Sequence, residues 1–186
     1  MSSCVTICPL GSVDEEILQH IAKCISIRCG LTWRISKRME NPHYAFNDSR
    51  CQYNSKLILQ RLLQQNLRGT LRLIGVTSVD LYVPILKFVF GLAQIEGKCS
   101  IISLHRLYPR FYDQPANPDL LLARVEKTVL HELGHTFGLT HCLDRRCVMY
   151  SSVRIEDTDA KQSDFCFTCF ELFQWYLKKT LQNPPE

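Results

Sequence analysis

The string His131-Glu-Leu-Gly-His135-Thr-Phe-Gly-Leu-Thr-His141 constrains this chain more than any other stretch, because its chemistry requires a helix that ends at one set place. On a helix, residues four apart share a face, so His131 and His135 offer two imidazoles to one metal ion while Leu133 and Phe137 turn toward a core. Gly138 lets the chain leave the helix by a backbone route that a side chain would hinder, and His141 returns as a third ligand. Three neutral imidazoles leave a zinc ion one open position, which separates a catalytic site from a closed structural one. Water in that position has its pKa lowered to about 7. Glu132, beside the first ligand, is placed to take the water's proton and pass it to a leaving amine. A bare His-Glu-x-x-His arises by chance on many helices, and the glycine and third histidine make the full string far more specific. His20, His43 and His105 have no partner at ligand spacing and are expected at the surface or hydrogen-bonded in the core.

The chain before the string supplies the helix it needs. Asn117-Pro118-Asp119 combines a cap, a proline at the first position and an acid in the first turn. Leu122, Val125, Val129, Leu133 and Phe137 then recur at intervals of three or four, predicting a helix of roughly 20 residues and about 30 Å. Further upstream, a β-prone run at Val5 to Cys8 precedes Ser12-Val-Asp-Glu15, read as a capping box. Helical spacing follows until Gly30, and Leu31 to Ile35 reads as a second strand. Strand, helix and strand in that order predict a βαβ unit and a sheet at least partly parallel. Residues 36–53 read as irregular. A second helix is expected from about Ser55 to Leu67, and further strands at Leu71 to Thr77, Lys87 to Ala93 and Cys99 to Leu104, with Glu96-Gly97 as a hairpin turn. After Gly138 the chain reads as irregular until a last helix, about Phe167 to Leu181, stopped before Pro184-Pro185.

Ten cysteines would mean a disulfide framework in a secreted protein. The first residues lack a basic n-region and a long apolar run, so secretion is not expected, a cytoplasmic location is, and metal ligands or buried thiols become the better account. Cys142, Cys147, Cys166 and Cys169 form a tight C-terminal set. A Cys-x4-Cys plus a Cys-x2-Cys can close a tetrahedral thiolate site around a second, structural zinc, although a pair of disulfides or four free thiols would also use them. Cys166 and Cys169 fall at the start of the last helix, where free amides favour thiolates. Cys4, Cys8, Cys24, Cys29, Cys51 and Cys99 are expected as small core residues. Two metals on the neighbouring residues His141 and Cys142 would move together, which suggests that the cysteine site braces the third histidine.

Other function classes fit poorly. An apolar share of 46% and a charged share of 22% are ordinary for one globular domain. The net charge of +4 is mild, and the basic residues are scattered apart from a loose group at Arg28, Arg34, Lys37 and Arg38. That reads as a solvated face, so no nucleic-acid partner is expected, nor a zinc ribbon that binds one. The most apolar region, Leu81 to Ile95, carries Pro84 and Lys87 and is too short to span a membrane.

Met149, in Cys147-Val-Met-Tyr-Ser-Ser152, matches the position of the methionine turn that packs beneath the zinc of metzincins. The three-histidine string running straight into CxxxxCxM and then CxxC resembles the archaemetzincins, minimal metzincins with a second, four-cysteine zinc. The specific part of the resemblance covers residues 131–169, and Gly75-Val-Thr-Ser-Val-Asp80 and Phe88-Val-Phe-Gly-Leu-Ala93 are similar as well. It implies a metzincin-like α/β (α+β) fold: a mixed, mostly parallel five-stranded sheet with two N-terminal helices, an active-site helix and a C-terminal helix. It further implies a single catalytic domain over 1–186, with an upper part at 1–137 and a lower part at 138–186, and Phe88 to Ala93 as the edge strand that pairs with an extended peptide. The implied activity is zinc-dependent peptide hydrolysis, with His131, His135 and His141 holding the catalytic zinc, Glu132 as base and acid, and Cys142, Cys147, Cys166 and Cys169 holding the structural zinc. Some metzincins add a tyrosine ligand two residues past the methionine; Ser151 stands there, and Tyr150 is not assigned as one. A peptide or protein substrate, two zinc ions and a monomer are the expectations. The alternative is a zinc-stabilised interaction protein whose catalytic site is latent or unused.

Overall fold

The computed structural model describes residues 4–65 and 67–182. β1 (Cys4–Leu10), α1 (Glu15–Cys29) and β2 (Trp33–Ile35) form the expected βαβ unit, with β1 and β2 parallel. α1 starts on Asp14, whose carboxylate accepts from Glu16 N, so the cap is Asp14 and not Ser12. Gly30, at φ 65°, closes the helix with its N–H on Ser26 O. The remaining elements are β3 (Phe46–Asn47), β4 (Gln52–Asn54), α2 (Ser55–Leu63), β5 (Thr70–Thr77), β6 (Leu81–Tyr82), β7 (Gly91–Ala93), β8 (Cys99–Ser103), α3 (Pro118–Thr136), α4 (Ile155–Ala160) and α5 (Phe167–Gln182). Pro184 and Pro185, read as the stop after the last helix, lie outside the described residues.

The main sheet has five strands in the order β2-β1-β5-β8-β7, parallel except for β7, which runs antiparallel to β8 along one edge. Every residue of β5 is buried, as a central parallel strand covered on both faces must be. Ile7, Ile74 and Ile102 lie in the larger core cluster with α1 and α3, while Cys8, Leu73 and Ile101 lie in a second cluster with Ile58 and Leu62 of α2. The sheet therefore separates two cores, and α3 is laid against one face with its C-terminal end beside β7.

Several boundaries differ from expectation. Two strands of a second, three-stranded sheet, β3-β4-β6, begin within the stretch read as irregular, and β6 joins them from Leu81–Tyr82; strands this short show no alternation to read. The strand expected from Lys87 shrinks to Gly91–Ala93, and Val89 bridges instead to Leu81 of the small sheet. The six-residue α4 was not expected; Glu156, Asp157 and Asp159 make its span look like a polar loop. Of the scattered cysteines, Cys8, Cys24, Cys29 and Cys99 are buried as expected, Cys4 is half-buried, and Cys51 is exposed in a turn. Arg28 and Arg34 serve the fold: Arg28 pairs with Glu126 and Asp164, and Arg34 donates to Thr6, Thr70 and Arg68 O. No helix among the described residues is long and apolar enough to cross a membrane.

Candidate active site

Asn117 caps α3, its side chain accepting from Leu120 N at 3.0 Å. Val125, Val129 and Leu133 anchor the helix in the core, which turns His131 and His135 toward the cleft. The helix ends in a Schellman turn: Gly138 N donates to His135 O and Leu139 N to Gly134 O. Gly138 sits at φ 103°, and a Cβ there would meet the Tyr176 ring at 3.0 Å, so glycine is required on both counts. The turn brings His141 back over the helix, and the three histidines offer ligand atoms within 4.8 Å of one another.

The protonation of the first two rings follows from their hydrogen bonds. His131 Nδ1 lies 2.9 Å from Val148 O and His135 Nδ1 lies 2.7 Å from Leu139 O. A carbonyl only accepts, so each Nδ1 carries the proton and each Nε2 presents a lone pair. Those two Nε2 atoms are 3.1 Å apart. Burial, assisted by the Lys161 charge, holds His131 well below the ordinary imidazole value, and burial lowers His135 and His141 too. Two bare lone pairs facing at that distance repel unless a cation sits between them, and tetrahedral Zn–N bonds of about 2.0–2.1 Å place ligand nitrogens about 3.4 Å apart. The histidine set therefore fits zinc.

Glu132 is buried beside this set and is pushed up to about 8 by burial, with the Lys161 charge opposing. It faces Gly91 of the edge strand so closely that a Cβ there would lie 2.6 Å from Oε1. A cleft of about 840 Å³ opens over these groups, lined by Phe88 to Ala93 and by Ser151 to Arg154, Thr158 and Lys161. Beneath it Met149 is fully buried, and a Cβ on Gly134 would fall 2.6 Å from its Sδ. The expected methionine packing under the ligands is thus present, and it accounts for Gly134.

The four C-terminal cysteines also converge. Their sulfurs lie within 4.8 Å of one another, with Cys142 Sγ and Cys166 Sγ at 3.8 Å, the separation expected for tetrahedral Zn–S bonds of about 2.3 Å. Asp144 N donates to Cys142 Sγ and Cys166 N to Cys147 Sγ. Burial holds the Cys147 and Cys169 thiols up, whereas on Cys166 burial is outweighed by hydrogen bonds from Cys169 and the other cysteines, which bring it below the usual thiol value. A cation is what the other sulfurs need to ionise. Cys142 N donates to Met149 O at 3.0 Å, tying this cluster to the methionine turn.

The remaining histidines stand apart: His20 lies 3.4 Å from Glu126, and His105 packs edge-on against Phe111. Two features of the site had no signal in the sequence. Lys161 is buried, donating to Val148 O and Tyr150 O, yet a lone lysine in a polar stretch reads as solvated. The second is the contact of Gly91 with Glu132, which no spacing encodes.

Comparison with known proteins agrees with this arrangement. The family model for peptidase family M54 matches residues 13–175. The chain belongs to that family, the archaemetzincins. It is 42% identical over 172 residues to the archaemetzincin of Methanocaldococcus jannaschii, covering 91% of this chain and 92% of that one. The archaemetzincin of Thermococcus kodakarensis is 36% identical, with 89% and 92% covered. The crystal structure of Methanopyrus kandleri archaemetzincin superposes with a TM-score of 0.84 at 35% identity, over 95% of this chain and 96% of that one. That of Archaeoglobus fulgidus, solved with malonate, gives 0.79 at 32% identity, over 90% and 98%. As a family member the chain is a zinc metallopeptidase with the mostly parallel five-stranded sheet of its relatives.

Proposed function

We propose that the chain hydrolyses peptide bonds in the cleft between β7 and the segment after Met149, with His131, His135 and His141 holding the catalytic zinc. The observation that carries this is the pair of opposed Nε2 lone pairs, 3.1 Å apart, with a buried carboxylate beside them and open cleft above. Zinc, when bound, supplies a Lewis acid and acidifies the attacking water. Glu132 takes the water's proton on its carboxylate and returns it to the leaving amine nitrogen, and burial, which raises its proton affinity, suits it to both tasks. Val148 O and Leu139 O hold the rings in the tautomer that presents Nε2. The backbone of β7, at the sheet edge, is available to pair with an extended substrate. Cys142, Cys147, Cys166 and Cys169 hold a second zinc with no position left for substrate, giving two ions per chain.

The test counts zinc per chain and compares wild type with Glu132→Gln on a diverse peptide library. Cleavage should fall by about 10²–10⁴-fold in the variant with both zinc ions retained. A wild type that cleaves nothing and is indistinguishable from the variant would mark the site as latent and the protein as an interaction module.

A further inference from the structure

Lys161 lines the cleft together with the edge strand. It is 3% exposed, and among the described residues no carboxylate comes within ion-pair distance of it. A buried ammonium with no carboxylate in direct contact is costly, and the Glu132 charge acts on this one only from beyond ion-pair distance. Its Nζ donates to Val148 O and Tyr150 O, each at 2.9 Å, which occupies two of its three protons. The other atom in reach is His131 Nδ1 at 3.5 Å, and that nitrogen already donates its own proton to Val148 O, so it cannot accept. Among the described residues one N–H of Lys161 is left without an acceptor. Ser152 Oγ is in the same condition, buried and without a partner among the described residues, and Ser152 lines the same cleft.

The charges around the cleft point the same way. Lys87, Arg154 and Lys161 line it against a single carboxylate, Glu132. None of the α4 acids, Glu156, Asp157 and Asp159, lines the cleft; Asp157 accepts from Val153 N and Arg154 N, and Asp159 pairs with Arg124. A cation with a spare donor, a hydroxyl with none of its bonds made and a surplus of positive charge together suit an anionic group with two acceptor oxygens.

We infer that this part of the cleft selects peptides carrying a carboxylate next to the scissile bond, held by the Lys161 ammonium with Ser152 Oγ as a second donor. Lys161 stands one imidazole ring away from the metal position, which sets the carboxylate beside the bond to be cut. The inference rests on the peptidase reading above. The carboxylate can belong to an Asp or Glu side chain or to the substrate's own C-terminus.

The test uses tagged peptides differing only in Glu against Gln at positions flanking the cut, each with a free and an amidated C-terminus. They are titrated into zinc-loaded Glu132→Gln protein and, separately, incubated with wild type. Carboxylate peptides should bind at least tenfold more tightly than their neutral partners, and adding Lys161→Met should erase that ratio. A preference that survives amidation assigns the side chain; one that amidation abolishes assigns the terminal carboxylate. Equal binding of charged and neutral peptides by protein with Lys161 intact would overturn the inference, as would a preference that persists in Lys161→Met. If Lys161→Met does not fold, the first comparison still decides, and Ser152→Ala, expected to weaken only the carboxylate peptides several-fold, provides the second probe. Carboxylate-selective binding without any cleavage would sink the peptidase reading alone, and cleavage without that selectivity would sink this inference alone.

Discussion

Gly91 and Glu132 meet so closely that position 91 takes no side chain while the carboxylate keeps its place. A methyl group at Gly91 would fall 2.6 Å from the carboxylate, and backbone on that side cannot retreat without disturbing β8, to which Gly91 is paired at Ile102. Gly91→Ala should therefore displace the carboxylate and lower kcat by about tenfold or more with zinc content unchanged, as metal analysis beside steady-state kinetics would reveal. The burial of Glu132 has a second consequence in metal-stripped protein. Between its ordinary value of 4.5 and the raised one of about 8, the folded state keeps a proton that the unfolded chain has released, so stability falls as pH rises through that window. Glu132→Gln imitates the protonated form and escapes the loss. Thermal unfolding of the two metal-free proteins should give close Tm values near pH 5 and a gap favouring the variant at pH 8, about 3–5 °C for each unit of raised pKa. A gap that stays constant with pH would contradict the burial effect.

At the scale of elements, the end of α3 and the start of α5 act through one short segment. His141 points into the histidine set, Cys142 into the cysteine set, and Cys142 N is bonded to Met149 O. Replacing Cys166 and Cys169 by Ser should therefore loosen His141 and weaken zinc binding at the histidine site by about tenfold or more, a ratio typical of lost support around a metal ligand; unchanged affinity in a metal titration would show that the cysteine site braces nothing. Much of this arrangement was legible beforehand. The caps and apolar spacing of α3, the βαβ start and both ligand sets are local patterns, and local patterns survive in sequence. What was not legible is tertiary. The small sheet β3-β4-β6 consists of strands too short to alternate, and α4 is an acidic turn whose helix forms because Ile155 and Thr158 are buried beneath it. Lys161 looks like any surface lysine until the methionine turn supplies the two carbonyls that hold it.

Across the whole molecule, Arg28 on α1 joins Glu126 on α3 and Asp164 ahead of the cysteine pair, so the N-terminal helix reaches both halves of the site. Metal should stabilise the molecule as a unit, because ions that bind only the folded state add about 4 kcal/mol at a thousandfold excess over Kd. Chelation should accordingly lower Tm by on the order of 10 °C, reversed by added zinc; scanning calorimetry with and without chelator checks this, and an unmoved Tm would exclude metal from the stability of the fold. The order of parts along the chain carries one more consequence. All five strands of the main sheet lie between Cys4 and Ser103, and every candidate ligand lies between His131 and Cys169. Synthesis proceeds from the N-terminus, so a ribosome delivers the sheet and the cleft's edge strand before it delivers the first histidine, and the ions are captured by a chain whose scaffold has already been made.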